Sequence, residues 1–303
     1  MNNRALRADI LLFVTAAIWG FAFVAQRVGM DHVGPLTFNG IRFALGGLAL
    51  IPLALRLEKN RAATYTPAGA RRIGLGGIAL GVVLFFGASL QQAGLAGPQL
   101  AVFGLDASTA GKAGFITGLY VVLVPICGLF LRERPGWGTW LGAVIAVVGM
   151  YLLSVTADLS VAFGDLLVLV SALFWTTHVL LVGKISPGMD AADAVKLSIV
   201  QFLACAALSL VVAFPTEPVA MGSILDAGIP ILYGGFMSVG IAYTLQIVAQ
   251  RDAPSAHAAI IMSLEAVFAA IGGCVMLDET LTVRALIGCG LMLAGMVLSQ
   301  LKP

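Results

Sequence analysis

Ten long apolar runs are the feature of this chain that most restricts its fold. A bilayer core about 30 Å thick takes roughly 20 apolar residues in a helix, because each helical residue rises 1.5 Å. The breaks between the runs are short and polar or rich in glycine and proline, as expected for connections between helices. The predicted spans, numbered one to ten in chain order, are residues 9–28, 35–55, 72–95, 108–131, 137–154, 164–183, 192–213, 228–250, 255–277 and 282–300.

The composition agrees with a membrane protein and excludes several other classes. Of the 303 residues, 60% are hydrophobic and 11% are charged, whereas soluble domains are about half apolar and about a quarter charged. The net charge is only +2 and the basic residues are scattered, so we expect no nucleic acid partner. All four cysteines lie inside apolar runs without metal-site spacing, which predicts neither a zinc site nor a disulfide framework.

The basic residues predict how the spans cross the membrane. With the amino terminus in the cytoplasm, twelve Lys and Arg residues fall on the cytoplasmic side, whereas three, Arg27, Lys112 and Arg284, lie near the outer ends of spans. Short loops that remain in the cytoplasm carry an excess of Lys and Arg. Ten spans return the chain to the side on which it began, so both termini are predicted to be cytoplasmic.

The second half of the chain repeats the first. Residues 131–153 align without gaps on residues 277–299 at an offset of 146, span one matches span six at an offset of 156, and span three matches span eight. Chance matching of Leu, Gly and Ala is the simpler explanation, but it does not account for paired Trp, Asp and Glu residues. Matched residues include Gly142/Gly288, Gly149/Gly295, Glu133/Glu279, Asp9/Asp165, Trp19/Trp175 and Gln91/Gln246.

The repeat predicts an inverted architecture. Because each copy contains five spans, an odd number, the second copy enters the membrane from the opposite side. The predicted fold is therefore an all-α integral membrane protein of ten transmembrane helices, in which residues 9–154 and 164–300 form two inverted five-helix repeats. Inverted repeats are typical of secondary transporters, whose similar halves exchange conformations and open a site alternately to each side.

Three stretches carry a family resemblance. They are AAIWGFAFV at 16–24 with its counterpart ALFWTTHVL at 172–180, AGFITGLYVVLVPICGLFLRERPGWGTWLG at 113–142, and IIMSLEAVFAAIGGCVMLDETLTVRALIGCGLMLAGMVL at 260–298. In order and spacing they resemble the EamA family of the drug/metabolite transporter (DMT) superfamily, and the resemblance covers nearly the whole chain. Size and layout are similar to the YddG-type bacterial amino-acid exporters, which implies export of small metabolites. One departure is Ala266, which stands where the family often has proline, and this puts a family-like kink in span nine in doubt.

Polar residues inside the spans are the natural site candidates, because hydrocarbon disfavours them unless they are buried or line a wet cavity. Glu265, near the middle of span nine, could couple protons, bind an amine, or be a structural partner of Arg42, Tyr or Gln residues. Arg42 could hold a carboxylate or reach toward the outer surface. His178 could bind a ligand or pack as a satisfied core residue. The predicted substrate-binding residues are Asn39, Arg42, Phe86, Gln91, Tyr120, Trp175, His178, Tyr243, Gln246 and Glu265.

These observations predict a permease of a bacterial-type inner (plasma) membrane that works by alternating access. Its expected substrates are amino acids or related compounds, with protons as a candidate coupling ion, and its cavity is expected among spans one to four and six to nine. We expect no catalytic residues, metal or cofactor, and no P-loop motif is present for ATP-driven pumping. The alternatives are an exporter of drugs or nucleosides, a lipid-modifying enzyme, which would need a convergent catalytic set, and a channel, which would need a ring of charges.

Overall fold

The computed structural model describes residues 3–59, 67–108, 110–154, 162–276 and 282–299. Glu279, one member of the matched acidic pair, lies outside the described residues. In chain order the helices are α1 Asn3–Gly29, α2 Pro35–Lys59, α3 Pro67–Leu95, α4 Gly97–Ala101, α5 Ala110–Gly118, α6 Tyr120–Phe130, α7 Trp137–Ser154, α8 Phe163–Ile185, α9 Ala191–Thr216, α10 Met221–Asp226, α11 Gly228–Leu232, a π-helix Tyr233–Tyr243, α12 Thr244–Gln250, α13 Ser255–Met262, α14 Glu265–Met276 and α15 Val283–Ser299.

These helices form the ten predicted spans. Eight spans are long and apolar enough to cross a bilayer, and the other two, Trp137–Leu153 and Val283–Ser299, are apolar but shorter. The 17 residues of α15 rise about 25 Å, at the short end of the range for a span. Span four consists of α5 and α6, span eight of α11, the π-helix and α12, and span nine of α13 and α14, while α4 and α10 lie in connections.

The bundle places apolar side chains outside and polar side chains inside. Phe130 is 85% exposed and Phe214 is 71% exposed, whereas Gln92, Gln201 and Gln246 are fully buried. A soluble protein does not cover its surface with large apolar side chains. This distribution is the one expected when lipid replaces water as the surrounding solvent.

Glycines at the contact of spans five and ten show the inverted symmetry directly. A Cβ atom added to Gly142 would lie 2.6 Å from the carbonyl oxygen of Gly295, and one added to Gly149 would lie 2.6 Å from that of Gly288. From the first contact to the second, the residue number rises in span five, from 142 to 149, and falls in span ten, from 295 to 288. The two helices are therefore antiparallel. Since the offset of 146 exchanges these two contacts, the pseudo-two-fold axis passes between the two helices.

The remaining helix contacts follow the same symmetry. Span one packs on span nine, and the matched span six packs on span four. Span three packs on span six, while its counterpart, span eight, packs on span one; spans two and seven, which exchange under the symmetry, pack on each other. The two repeats are therefore interlocked, and the space between them is enclosed by helices of both.

Spans four and nine are both interrupted at matched positions. Span four breaks at Leu119, and span nine breaks at Ser263 and Leu264, one residue from the position equivalent to Leu119. At the break in span nine the hydroxyl of Ser263 donates to the carbonyl oxygen of Ile260 at 2.8 Å. The break forms although Ala, not proline, stands at position 266.

Candidate functional site

A cavity with an empty volume of about 510 Å³ lies inside the bundle. Seven of the eight expected spans contribute to its walls, and among the described residues none of the lining side chains comes from span seven. The lining residues are Trp19, Phe23, Gln26, Arg42, Gln91, Thr117, Tyr120, Trp175, His178, Val179, Ser238, Tyr243, Gln246, Met262 and Glu265.

Gln91 is held on three sides. Its Oε1 accepts a hydrogen bond from Trp175 Nε1 at 2.9 Å and a longer one from the Thr117 hydroxyl at 3.4 Å. Its Nε2 donates to Gln26 Oε1 at 3.3 Å. These bonds join spans one, three, four and six at one wall of the cavity, and they engage the amide oxygen of Gln91 fully.

Arg42 is a buried cation at another wall. It is 2% exposed, and its Nε donates to Asn39 Oδ1 at 3.0 Å, one turn earlier on the same face of α2. Its guanidinium lies 5.4 Å and 5.0 Å from the ring centres of Phe38 and Phe43. None of the ion pairs between described residues includes Arg42. A buried charge without a counter-ion is costly, so this site is suited to an anionic group.

Glu265 lies where the interrupted spans four and nine meet. The carboxylate is 4% exposed, and its Oε1 accepts a hydrogen bond from the hydroxyl of Tyr120 at 3.0 Å. Tyr120 is the first residue after the break in span four, and Glu265 is the first residue after the break in span nine. The bond therefore joins the two broken helices next to the pseudo-two-fold axis.

Aromatic rings cover much of the remaining wall. The ring centre of Tyr243 lies 4.6 Å from that of Trp19, 6.1 Å from that of Trp175 and 6.0 Å from that of His178. Nε2 of His178 lies 3.0 Å from Oε1 of Gln201 in span seven, so this imidazole already has a polar partner behind the cavity wall. The cluster provides a flat, apolar surface between the polar groups.

Span eight contains a π-helix of 11 residues, Tyr233–Tyr243. π-helical turns are rare and occur frequently at functional sites. Span one is bonded to this stretch, since Trp19 Nε1 donates to the carbonyl oxygen of Ser238 at 3.3 Å and the Thr15 hydroxyl donates to that of Ala242 at 3.2 Å. Side chains of span one thus bind backbone groups of the π-helix.

Gln246 follows the π-helix and is only partly satisfied. Its Nε2 donates to Gln250 Oε1 at 2.9 Å, and Gln250 Nε2 donates to the carbonyl oxygen of Val179 at 3.0 Å. Its Oε1 is buried and has no hydrogen-bond partner among the described residues. Gln246 lines the cavity, and this unpartnered oxygen is the hydrogen-bond acceptor of its side chain.

The structure brings eight of the ten predicted site residues into this cavity wall. Asn39 lies behind Arg42 and orients it. Phe86 lies elsewhere: it is 44% exposed on the outer surface, with its ring stacked on Phe174 at 5.3 Å between ring centres. Phe86 precedes Gln91 by five residues, which corresponds to a rotation of about 140° around an α-helix. It therefore faces the lipid side of span three. The eight lining residues are Arg42, Gln91, Tyr120, Trp175, His178, Tyr243, Gln246 and Glu265.

The predicted binding residues leave out seven lining residues. Trp19, like Trp175, is an aromatic residue that could be expected to line a cavity, and Gln26 and Thr117 could have been found through polar side chains inside apolar runs. Phe23, Val179 and Met262 are apolar residues in apolar runs and give no such signal. Ser238 gives none either, because its backbone carbonyl is the group that accepts a hydrogen bond. The seven are Trp19, Phe23, Gln26, Thr117, Val179, Ser238 and Met262.

A second cavity, with an empty volume of about 1,040 Å³, lies at the end of the bundle where α1 begins and α15 ends. His257 lines it, and its Nε2 lies 2.8 Å from Oδ1 of Asp9. At the opposite end of the bundle, Nζ of Lys112 lies 3.9 Å from Oδ2 of Asp165, the residue matched to Asp9. The offset of 146 places Lys112 on Ala258, next to His257, so the two contacts occupy equivalent positions on opposite faces. The contact of His257 is an ion pair only when the imidazole is protonated.

Comparison with known proteins gives a consistent answer. The family model described as the EamA-like transporter family matches residues 6–155 and 162–301. A protein named "Uncharacterized transporter" from Archaeoglobus fulgidus is 29% identical over 301 residues, which cover 99% of this chain and 87% of that protein. The threonine/homoserine exporter RhtA of Escherichia coli K12 is 27% identical over 299 residues, covering 96% of this chain and 90% of RhtA.

A solved crystal structure shows the same fold. It aligns with a TM-score of 0.75 at 20% sequence identity and covers 97% of this chain and 98% of that chain. The family and the names of the relatives indicate a transporter rather than an enzyme.

Proposed function

The chain belongs to the EamA-like transporter family, and from this premise we propose that it is a secondary transporter that exports amino acids or closely related small metabolites by alternating access. The solute is held in the cavity between the two repeats. The protein acts in a bacterial-type inner (plasma) membrane with both termini in the cytoplasm, as the distribution of Lys and Arg favours.

Arg42 is the observation that carries the proposal. Its guanidinium is buried beside the cavity, and its Nε is the group bonded to Asn39. A guanidinium has five N–H donors in a fixed planar arrangement that matches the two oxygens of a carboxylate. A carboxylate from the cavity would supply the counter-ion that the described residues do not, and amino acids carry this group.

Glu265 supplies the second half of the recognition. It lines the same cavity as Arg42, and no ion pair joins the two side chains. A solute with a carboxylate and an ammonium group can therefore contact both. The same carboxyl group can carry a proton through the cycle when no ammonium is bound, which would couple export to the proton gradient.

Alternating access is supported by the matched contacts at the two ends of the bundle. Asp9 and His257 are in contact at one end, and Asp165 and Lys112 hold matched positions at the other. Because the repeats are inverted, a conformation adopted by one half on one side can be adopted by the other half on the opposite side. Opening one pair while the other stays closed gives the solute access to one face at a time.

Reconstitution of the purified full-length chain into liposomes tests the proposal. We expect labelled L-phenylalanine or L-threonine to equilibrate faster than in protein-free vesicles, and Arg42→Gln to slow this uptake. Arg27→Gln is the matched control, because Arg27 is 44% exposed and pairs with Asp31 away from the cavity. If amino acids, nucleosides and cationic drugs all equilibrate no faster than in protein-free vesicles, the transport proposal is wrong.

An exporter of organic cations is the second candidate. The carboxylate of Glu265 shares the cavity with the rings of Trp19, Trp175 and Tyr243, and such surroundings attract cations. In the same vesicles, uptake of a cationic drug that depends on Glu265 but not on Arg42, without amino-acid uptake, would favour this candidate over the first.

A further inference from the structure

Two tryptophan and glutamine pairs occupy equivalent places in the two repeats. Trp175 on span six faces Gln91 on span three, and Trp19 on span one belongs with Gln246 on span eight by the sequence match. The packing of span three on span six has its counterpart in the packing of span eight on span one. All four side chains line the central cavity.

The two pairs differ in their hydrogen bonds. Trp175 Nε1 donates to Gln91 Oε1 at 2.9 Å. Trp19 Nε1 instead donates to the backbone carbonyl of Ser238 at 3.3 Å, and Gln246 Oε1 is left without a partner among the described residues. One repeat thus has a closed indole–amide bond, while the other has an open amide oxygen at the cavity.

Spans three and eight also differ in the helix that precedes these glutamines. Span three is α-helical throughout Pro67–Leu95, whereas Tyr233–Tyr243 is π-helical and ends three residues before Gln246. A π-helix bonds residue i to residue i+5 instead of i+4. Conversion of this stretch to an α-helix would therefore turn Gln246 about the helix axis relative to Trp19.

We propose that Gln246 Oε1 accepts a hydrogen bond from the transported solute in this state, and that the repeats exchange roles in the opposite state. There Trp19 donates to Gln246, Trp175 releases Gln91, and Gln91 Oε1 accepts the donor group of the solute. The inference rests on the proposed function. It assigns the solute an N–H or O–H donor, such as a primary ammonium group, and it makes each indole the competitor of the solute for one amide oxygen.

A ligand-free experiment tests the exchange. In a variant whose four cysteines are replaced by alanine, a single cysteine at Ser255, on the second cavity, or at Ser108, at the opposite end, is labelled with a membrane-impermeant maleimide. Gln91→Leu removes a bond of this state, and Gln246→Leu removes the matching bond of the opposite state. We expect the labelling ratio of the two positions to shift about fivefold in opposite directions, as for the loss of one hydrogen bond.

Two further variants sharpen this test. Trp175→Phe should shift the ratio in the same direction as Gln91→Leu but by less, because Gln91→Leu also removes the bonds to Thr117 and Gln26. Added to Gln91→Leu, Trp175→Phe should change nothing further, because its bond is already lost. Gln92→Leu is the matched control: Gln92 is buried next to Gln91 but bonds to Met30 Sδ and does not line the cavity. Shifts in the same direction for Gln91→Leu and Gln246→Leu, or no shift, would overturn the exchange.

Transport from each face tests the role of the solute. We expect L-phenylalanine to be transported at least tenfold better than its N,N,N-trimethyl derivative, which keeps the carboxylate but has no ammonium donor. Gln246→Leu should raise the half-saturation concentration of L-phenylalanine about tenfold when the solute enters from one face. Gln91→Leu should have the same effect from the other face. Gln246→Glu keeps an acceptor oxygen, so this variant should still transport L-phenylalanine better than the trimethyl derivative. Equal losses from both faces contradict the inference. If the unmodified protein transports nothing, the proposed function fails, while the labelling result still decides the exchange.

Discussion

Replacement of Arg42 by glutamine removes the cation on which the proposed recognition of a carboxylate depends. Arg42 is 2% exposed, and Asn39 engages its Nε, so the solute meets a guanidinium already held in place. Hydrogen bonds to charged groups contribute about 1.5–3 kcal/mol each. The loss of one such bond corresponds to a rise in the half-saturation concentration of roughly 10- to 150-fold.

The assay is uptake of a labelled amino acid into liposomes, with the corresponding amine that lacks the carboxylate as a second solute. Arg42→Lys should give an intermediate loss, because an ammonium group keeps the charge but not the planar pair of donors. Arg27→Gln should behave as the unmodified protein, since Arg27 lies at the surface. The reasoning is refuted if Arg42→Gln leaves amino-acid uptake unchanged, or if it weakens uptake of the amine equally, because the loss would then not concern the carboxylate.

Three more predictions concern coupling, gating and the symmetry axis. Glu265→Gln should abolish the response of uptake to an imposed pH gradient, and a response equal to that of the unmodified protein would exclude this carboxyl group as the coupling site. Asp9→Asn weakens one ion pair and Asp165→Asn the matched one, so maleimide labelling at the two ends should change in opposite directions by about 5- to 30-fold for a loss of about 1–2 kcal/mol; changes in the same direction would contradict gating. Gly149→Leu should destabilise the protein by about 1–3 kcal/mol through overpacking against span ten, measured as a lower melting temperature in detergent, whereas Gly290→Leu, where an added Cβ meets nothing within 4 Å, should not.

The fold could be predicted because its causes are local. Hydropathy shows where helices must cross, and the matched Trp, Asp and Gly residues show that one five-span unit occurs twice. The offset then makes the two glycine contacts between spans five and ten equivalent, since Gly142 and Gly149 map onto Gly288 and Gly295, but the contacts themselves are seen only in the structure. The break in span nine could not be predicted in the same way, because proline was the expected signal and position 266 is Ala.

The polar part of the candidate site could be predicted, because polar side chains are rare inside membrane spans. Arg42, Gln91, Gln246 and Glu265 stand out against apolar neighbours, and all four line one cavity. Phe86 lies outside this cavity, and its spacing of five residues from Gln91, a rotation of about 140° around an α-helix, is the sign in the sequence that it faces away. Every residue has the same backbone groups, so the sequence does not show which of them take part in a site. The hydrogen bond from Trp19 Nε1 to the backbone carbonyl oxygen of Ser238 could therefore not be predicted.

The repeat limits what the sequence can predict about hydrogen bonds in the site. It predicts the same hydrogen-bond partners in both halves of the chain, whereas a transporter in any one facing state is asymmetric. From the matched residues alone, Trp19 and Trp175 should each bond to a glutamine, yet only Trp175 does so. Under the proposed exchange, each of the two facing states satisfies one repeat at the expense of the other. The oxygen of Gln246, which has no partner among the described residues, would then be half of a pair of arrangements: Trp19 on span one would be its partner in the opposite state, and the solute would take the position in this state.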